Sequence, residues 1–156
     1  MTMRMRKKSN RRQRGAVMVE MALVTPLLLA MIVLTAEITR AFVDHNTLTK
    51  AVRNGARHVS DNALQGTTGN VTLTAALSAE ARNLVVYGNI AGIGSPVLAG
   101  LTVADITVTD IGANNIQVTA AHTITGILGP VMRNFFGGPD INMTHNLQAT
   151  VRMRAL

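Results

Sequence analysis

A long apolar segment lies near the start of this 156-residue chain. The segment Ala16–Ala36 contains a single charged side chain, Glu20. Since a helix needs about 20 apolar residues to cross the hydrocarbon core of a bilayer, this segment is predicted to be a membrane-spanning helix. Pro26 removes one hydrogen bond from such a helix, and a kink is expected there.

The helical pattern does not stop at Ala36. Beyond it the apolar residues thin out to a stripe with helical spacing: Ile38, Ala41, Phe42, Leu48, Val52, Ala56, Val59 and Ala63. The opposite face carries Glu37, Arg40, Asp44, Lys50, Arg53, Arg57 and Asp61. One helix is therefore predicted from Ala16 to about Leu64, with an amphipathic second part, residues 37–64, packed on a small head. Gly55 is the weak point of this helix, unless it allows close packing.

The remaining residues, 65–156, are predicted to form this head. Gln65–Asn70 is typical of a linker, and Val71–Tyr87 has helical spacing that ends at Gly88. Period-two alternation then indicates three strands, which cover residues 101–111, 116–124 and 141–154. A slip in the alternation at Ala104 and Asp105 predicts a β-bulge, and residues 126–140 are expected to be a connection with one short helical turn. The fold class is α+β, with a sheet of about three antiparallel strands.

Charge is concentrated in front of the apolar segment. The chain has 15 basic and 8 acidic residues, and the first 15 positions hold basic residues without any acidic one: Arg4, Arg6, Lys7, Lys8, Arg11, Arg12 and Arg14. The rest of the chain is formally neutral. Positive charge before the apolar segment predicts a cytoplasmic N-terminus and an exported C-terminal part. An ordinary signal peptide cut after Ala36 is the alternative, although its apolar region is usually shorter.

Residue types that carry chemistry are sparse. The chain has no Cys, which excludes disulfides and thiolate sites, and only 3% aromatic residues, which disfavours a nucleic-acid partner. No phosphate-binding, dinucleotide, serine-nucleophile or zinc-protease motif is present. His122 and His145 fall on the apolar face of two strands and are expected to be hydrogen-bonded core residues rather than metal ligands, while His45 and His58 are expected to make solvated or intersubunit contacts. We expect no enzyme activity, no catalytic residue, no metal and no cofactor.

The junction between the basic and apolar segments resembles a known signal. A basic leader ends in Gly15 and Ala16, with Glu20 fifth after the junction, as in the class III signal of type IV pilins and pseudopilins. Residues 11–57 are further similar to the opening of TadE-like proteins, which are pilin-like components of the bacterial tight-adherence (Tad, or Flp) pilus system. The shared features are the Arg-rich leader end, Val19 before Glu20, Pro26 before a Leu run, and Ala51–Arg57. The chain departs mildly from the family at Met21, where an aromatic residue is more usual, and at Glu37-Ile38, where the family more often has an acidic-aromatic pair.

This resemblance implies a type IV pilin-like fold and a place in a pilus. A prepilin peptidase would remove the leader, residues 1–15, by cutting after Gly15 on the cytoplasmic side. Residues 16–36 would bind other pilin and pseudopilin subunits on an inner-membrane assembly platform, with the head first in the periplasm and later in the pilus or on the cell surface. The size of the head favours a minor pilin or pseudopilin over the bulk filament subunit. The alternatives are a single-pass membrane-anchored periplasmic binding domain that is not processed at Gly15, and an uncut regulator.

The same resemblance gives Glu20 a role in assembly and processing. Cutting after Gly15 would create an α-amino group on Ala16, which is mostly protonated at neutral pH. That amine could pair with Glu20 of a neighbouring subunit and fix the axial register between helices. A pair within one chain is also possible, because Ala16 and Glu20 are four residues apart on a helix.

Overall fold

The computed structural model describes residues 11–64, 71–127, 129–134 and 137–155. Helix α1 spans Arg11–Asn62, so it begins ahead of the predicted Ala16, because Arg and Gln are good helix formers. The helix includes Pro26, and the expected kink there stays a prediction. Residues 1–10 of the leader and the predicted linker, Gln65–Asn70, lie outside the described residues.

The chain divides into two compact units at the boundary between Ile38 and Thr39. The described part of the first unit consists of the beginning of α1. The second unit contains the rest of α1 and the whole head. The head is therefore described together with the amphipathic part of the helix.

Helix α2 spans Ala75–Tyr87 and has a defined cap at each end. The Thr74 hydroxyl accepts a hydrogen bond from the Leu77 N–H at 3.1 Å, which starts the helix. Gly88 ends it in a left-handed conformation with φ 73°, where glycine has no steric penalty. The helix begins later than the predicted Val71, which instead forms a bridge with Leu64, because the Thr74 cap fixes the first turn.

Three antiparallel strands form the main sheet, as predicted. Strand β1 spans Ile106–Gly112, β2 Asn115–Thr125 and β5 Thr144–Arg154, in the order β1-β2-β5. Residues Ala113 and Asn114 connect β1 to β2 with positive φ, which is the geometry of a tight hairpin turn. Strand β2 alternates between buried and more exposed positions along its whole length, so one face of the sheet lies against the core.

Two local predictions for the head are wrong. The slip at Ala104 and Asp105 is a 3-10 turn, Val103–Asp105, rather than a β-bulge. The Asp105 carboxylate accepts hydrogen bonds from Thr102 N–H and Oγ1 at 2.9 and 3.1 Å, which stabilises that turn. In the described part of residues 126–140 there is no helical turn: β3, Val131–Met132, pairs with β4, Ile141–Asn142, and the predicted last strand is interrupted at Met143, whose N–H donates to the Pro130 carbonyl.

The amphipathic part of α1 packs on this head, with Ala41 partly buried against the core and buried residues from Leu48 onward. Its buried residues join one core with α2 and the sheet, and they are Leu48, Ala51, Val52, Ala56, Val59 and Ala63. Ile38 and Phe42 were assigned to the same stripe but are 63% and 67% exposed. Glu37, assigned to the polar face, is buried with 4% exposed. Periodicity gives the direction of a side chain around a helix, but it does not say which stretch of that helix the rest of the chain covers.

Candidate processing and assembly site

Among the described residues, none packs against position 15 of α1 closely enough to require glycine there. A Cβ built at this position would meet no atom within 4 Å. Glycine inside a helix costs about 1 kcal/mol relative to alanine. At Gly55 the situation is the opposite, since a Cβ there would lie 2.5 Å from Val85 Cγ2 and 3.3 Å from the Ala81 carbonyl oxygen. Close packing thus explains why residue 55 is glycine. The glycine at position 15 needs a different explanation.

The segment that follows Gly15 is an exposed apolar helix. Apart from the half-buried Val33, its large apolar side chains between Val17 and Leu34 are 40–75% exposed: Val17, Met18, Val19, Met21, Leu23, Val24, Leu27, Leu28, Leu29, Met31, Ile32 and Leu34. Apolar surface in water is unfavourable by about 25 cal/mol per Å². In the described part of the chain, one helix within Gly15–Asn62 is long and apolar enough to cross a membrane. Contact with lipid or with the helices of neighbouring proteins would therefore stabilise this segment by removing its apolar surface from water.

Glu20 is exposed on this apolar helix, and no ion pair joins it to another described residue. It stands one helical turn after Ala16, on the same face. A carboxylate surrounded by lipid or by apolar helices needs a partner of opposite charge. The structure thus places the three residues of the predicted site, Gly15, Ala16 and Glu20, within two successive turns of one helix, with Pro26 further along it.

A comparison with protein families identifies this segment. Residues 15–57 match the TadE-like protein family. The match begins at Gly15, includes Glu20 and Pro26, and ends at Arg57, so the resemblance read from the sequence is confirmed. The TadE-like segment supports a pilus-associated protein of the Tad system. Beyond it, no curated protein and no solved structure matches the chain.

Outside the TadE-like segment, the buried polar residues of the described chain are Ser60 and His122. The His122 ring is buried in the core, with Nε2 3.1 Å from the Ala99 carbonyl oxygen and Nδ1 3.6 Å from Asp105 Oδ2. The prediction of a hydrogen-bonded core histidine is confirmed for His122. It is wrong for His145, which is exposed because it lies near the start of the edge strand β5, before the buried positions of that strand.

His122 and His145 are not directly opposite each other in the sheet. The two strands do pair, but His122 is opposite Leu147 and His145 is opposite Ile124. Among the described residues, no group of three His, Cys, Asp or Glu side chains could hold a metal ion. The arrangement around His122 stabilises the fold by connecting β2 to the loop before β1.

Sequence reasoning missed two polar contacts of the head. His58 of α1 lies 3.1 Å from Glu80 of α2, measured from Nε2 to Oε2, where a solvated or intersubunit contact was expected. The second is the Asp105 carboxylate, which caps its own turn and faces His122. A signal for the latter was present, because an acidic residue three positions after Thr102 is typical of a capping box. No sequence signal pairs His58 with Glu80.

Proposed function

We propose that this protein is a minor pilin or pseudopilin of a Tad/Flp-type adhesion pilus, processed by a prepilin peptidase after Gly15. The observation that supports this most is the position of Gly15. It lies where an all-basic leader meets an exposed apolar helix, and no packing contact requires glycine there. A peptidase that must accommodate the backbone closely supplies the missing reason.

In this proposal the cut at Gly15 requires the helix to unwind locally, because proteases act on extended backbone. Gly15 stands near the beginning of α1, where its low helix propensity favours local unwinding. A bulky side chain at position 15 would occupy the space that the peptidase needs.

The processed chain would then assemble through the helix that starts at Ala16. In this proposal the basic leader keeps the N-terminus in the cytoplasm, so that the head lies in the periplasm. In this proposal other pilin and pseudopilin subunits pack against the exposed apolar side chains, at an inner-membrane assembly platform. The new amine of Ala16 pairs with Glu20 of a neighbour, although a pair within one chain is an open alternative.

The proposed role is structural and not enzymatic. It needs no catalytic residue, metal, cofactor or nucleic acid. The head is a folded unit with its own core, larger than the bulk subunit of such a filament needs, which favours a minor component. Its sheet and loops supply the surface exposed on the periplasmic side and afterwards in the pilus.

The mature N-terminus tests this proposal. We expect the intact mass of the protein from native membranes to correspond to a chain that begins at Ala16. Gly15→Trp should leave the leader in place, whereas the control Ala36→Trp, which would block an ordinary signal cut, should not change the mature N-terminus. A wild-type chain that keeps its leader would instead support the membrane-anchored periplasmic binding domain.

A further inference from the structure

Strand β5 lies at one edge of the main sheet, and the backbone of alternate residues points away from the sheet there. The Ala155 N–H donates to the Asn114 carbonyl next to β2, and the Gly126 N–H donates to the Met143 carbonyl, so the odd-numbered residues of β5 direct their backbone toward β2. The direction alternates along an antiparallel strand. The even-numbered residues therefore present their N–H and C=O groups on the outer edge: Thr144, Asn146, Gln148, Thr150, Arg152 and Arg154.

A side chain closes each end of this outer edge. At the end of β5 the Ser60 hydroxyl donates a hydrogen bond to the Arg154 carbonyl, and at its start Asn142 Oδ1 accepts from the Thr144 N–H at 2.9 Å. Between these two contacts, no described residue bonds the outer N–H and C=O groups of Asn146, Gln148, Thr150 and Arg152. Among the described residues, the Thr144 carbonyl and the Arg154 N–H are free as well. The edge is thus an open row of backbone donors and acceptors with a fixed beginning and end.

The opposite edge of the sheet differs from β5 in the features that prevent strand addition. Strand β1 has 7 residues, against 11 in β5, and its register with β2 shifts between Asp110 and Gly112. The Asp110 carboxylate accepts the Gly112 N–H at 2.8 Å, which turns the backbone at the end of that strand. Short length, irregular register and charge on an edge strand are the usual protection against pairing with another chain. Strand β5 is long and regular and contains no Pro or Lys, so its outer edge is suited to pairing.

We propose that the outer edge of β5 pairs with the same edge of a second copy of this chain, antiparallel and with the two Ala149 residues opposite each other. This inference goes beyond the proposed function, because it concerns the head alone. In this register Asn146 is opposite Arg152 of the second copy, and Gln148 is opposite Thr150. Each of these pairs can exchange two backbone hydrogen bonds, so the open row of one copy satisfies the open row of the other.

The two ends of the row select this register. Thr144 comes to lie opposite Arg154 of the second copy, and one hydrogen bond can join the free Thr144 carbonyl to the free Arg154 N–H. The other bond of this pair would use the Thr144 N–H and the Arg154 carbonyl, which Asn142 and Ser60 already satisfy. A shift of two residues in either direction would leave an open group opposite a satisfied one, which disfavours the shifted pairing. An unrelated strand has no reason to lack the matching groups, whereas a second copy lacks them at the right positions.

The side chains of β5 are compatible with the same pairing. On the core face, Leu147 lies opposite Val151 of the second copy, which extends an apolar row across the pair. Positive charge is confined to one end of the strand, at Arg152 and Arg154, and antiparallel pairing keeps these ends of the two copies apart. Arg152 faces Asn146 of the second copy, which is an uncharged hydrogen-bonding residue. Parallel pairing would set the arginines of the two copies side by side, which is unfavourable.

The absence of Cys from the chain permits a test of the register with single-cysteine variants of the full-length protein in detergent. Opposite residues that exchange backbone hydrogen bonds have Cα atoms about 5.5 Å apart, within the range of a disulfide. A mixture of Gln148→Cys and Thr150→Cys should therefore form a disulfide-linked dimer on mild oxidation. Each variant alone brings its two cysteines only to diagonal positions, about 7–8 Å apart, and should crosslink several-fold more slowly. The control for chance collision is a mixture of Gln148→Cys with Thr107→Cys, which is exposed on the other edge strand, β1.

An exchange of charge separates this edge from contacts made through α1. Asn146 and Arg152 are about 20 Å apart along one strand, at roughly 3.4 Å per residue, but they are opposite each other in the proposed pair. In the Gln148→Cys and Thr150→Cys backgrounds, Asn146→Lys should lower the rate of crosslinking several-fold, because it places like charges opposite each other. Adding Arg152→Asp to Asn146→Lys should restore the rate. Resistance of the head to proteolysis reports that these variants are folded.

Two results would overturn the inference. One is a mixture of Gln148→Cys and Thr150→Cys that crosslinks no faster than the mixture with Thr107→Cys. The other is a rate of crosslinking that the exchange of charge does not change. Neither result depends on the leader, so the mature N-terminus tests the proposed function separately.

Discussion

Gly55 of α1 and Val85 of α2 approach so closely that a Cβ on Gly55 would lie 2.5 Å from Val85 Cγ2. The two helices therefore pack through a glycine, and their separation is set by its missing side chain. An overpacked core is destabilised by about 1–3 kcal/mol, while replacing glycine by alanine in a helix gains about 1 kcal/mol. In Gly55→Ala, the clash with Val85 therefore opposes the gain in helix propensity.

We expect Gly55→Ala to lower the resistance of the head to proteolysis in the full-length protein in detergent. The same substitution at Gly15, where the added Cβ meets nothing, should leave that resistance unchanged. The destabilisation of the double variant Gly55→Ala/Val85→Ala should be smaller than the sum of the destabilisations of the two single variants. The reason is that the smaller side chain at position 85 removes the clash with the new Cβ. If Gly55→Ala is as resistant as Gly15→Ala, the close packing of α1 on α2 is incorrect.

The hydrogen bond from Ser60 to the Arg154 carbonyl gives a second prediction. Ser60 is buried with 3% exposed, and its removal leaves a carbonyl without its partner. Ser60→Ala should destabilise the head by about 0.5–1.5 kcal/mol, measured by denaturant-dependent proteolysis. The control is Ser78→Ala, whose hydroxyl bonds only the preceding turn of its own helix, at the Thr74 carbonyl. Equal effects of the two substitutions would show that the contact between α1 and β5 contributes nothing.

His122 and His145 should behave differently when replaced. His122→Leu leaves the Ala99 carbonyl without its partner in the core and should cost about 1–3 kcal/mol, whereas His145→Leu should stay within about 0.5 kcal/mol of the wild type. Since the two rings are not opposite each other, added zinc should not raise the Tm of the head. A rise in Tm with zinc that both substitutions abolish would contradict this account.

Glu20 should matter for assembly and not for the folding of the head. We expect Glu20→Ala to insert into the membrane, because removing a charge makes insertion easier, and to be lost from pili. Thr25→Ala, in the same segment, is the control and should assemble normally. Surface pilus yield and disulfide crosslinking through Met18→Cys would report the outcome, and wild-type assembly of Glu20→Ala would rule out the pairing of Ala16 with Glu20.

Sequence reasoning was most successful where a single periodicity extends over many residues. The alternation along β5 and the helical stripe from Leu48 to Ala63 each predicted a buried face that the structure contains. Gly55 was interpreted as the weak point of the helix, with close packing as the alternative, and the structure supports close packing. These features depend on local geometry, which the order of residues specifies directly.

Features that depend on distant parts of the chain were missed. The exposure of Ile38 and Phe42 depends on where the head stops covering α1, and a hydropathy pattern contains no such information. The two-residue strands β3 and β4 are too short to show an alternation. The partners of His122 are the Ala99 carbonyl and the Asp105 carboxylate, which a loop and a turn before β1 bring to it, so the sequence predicted the burial of this histidine but not what it binds.

If the head is exported as proposed, the position of β5 beside β2 sets the order in which it can fold. Strand β2 would pair with β1 through a short turn as soon as both had crossed the membrane. Its other edge would remain open until residues 144–154 had also crossed, and the same residues bring the carbonyl that Ser60 requires. The head would complete its core only then, and until that point the open edge of β2 would be available for pairing with other chains.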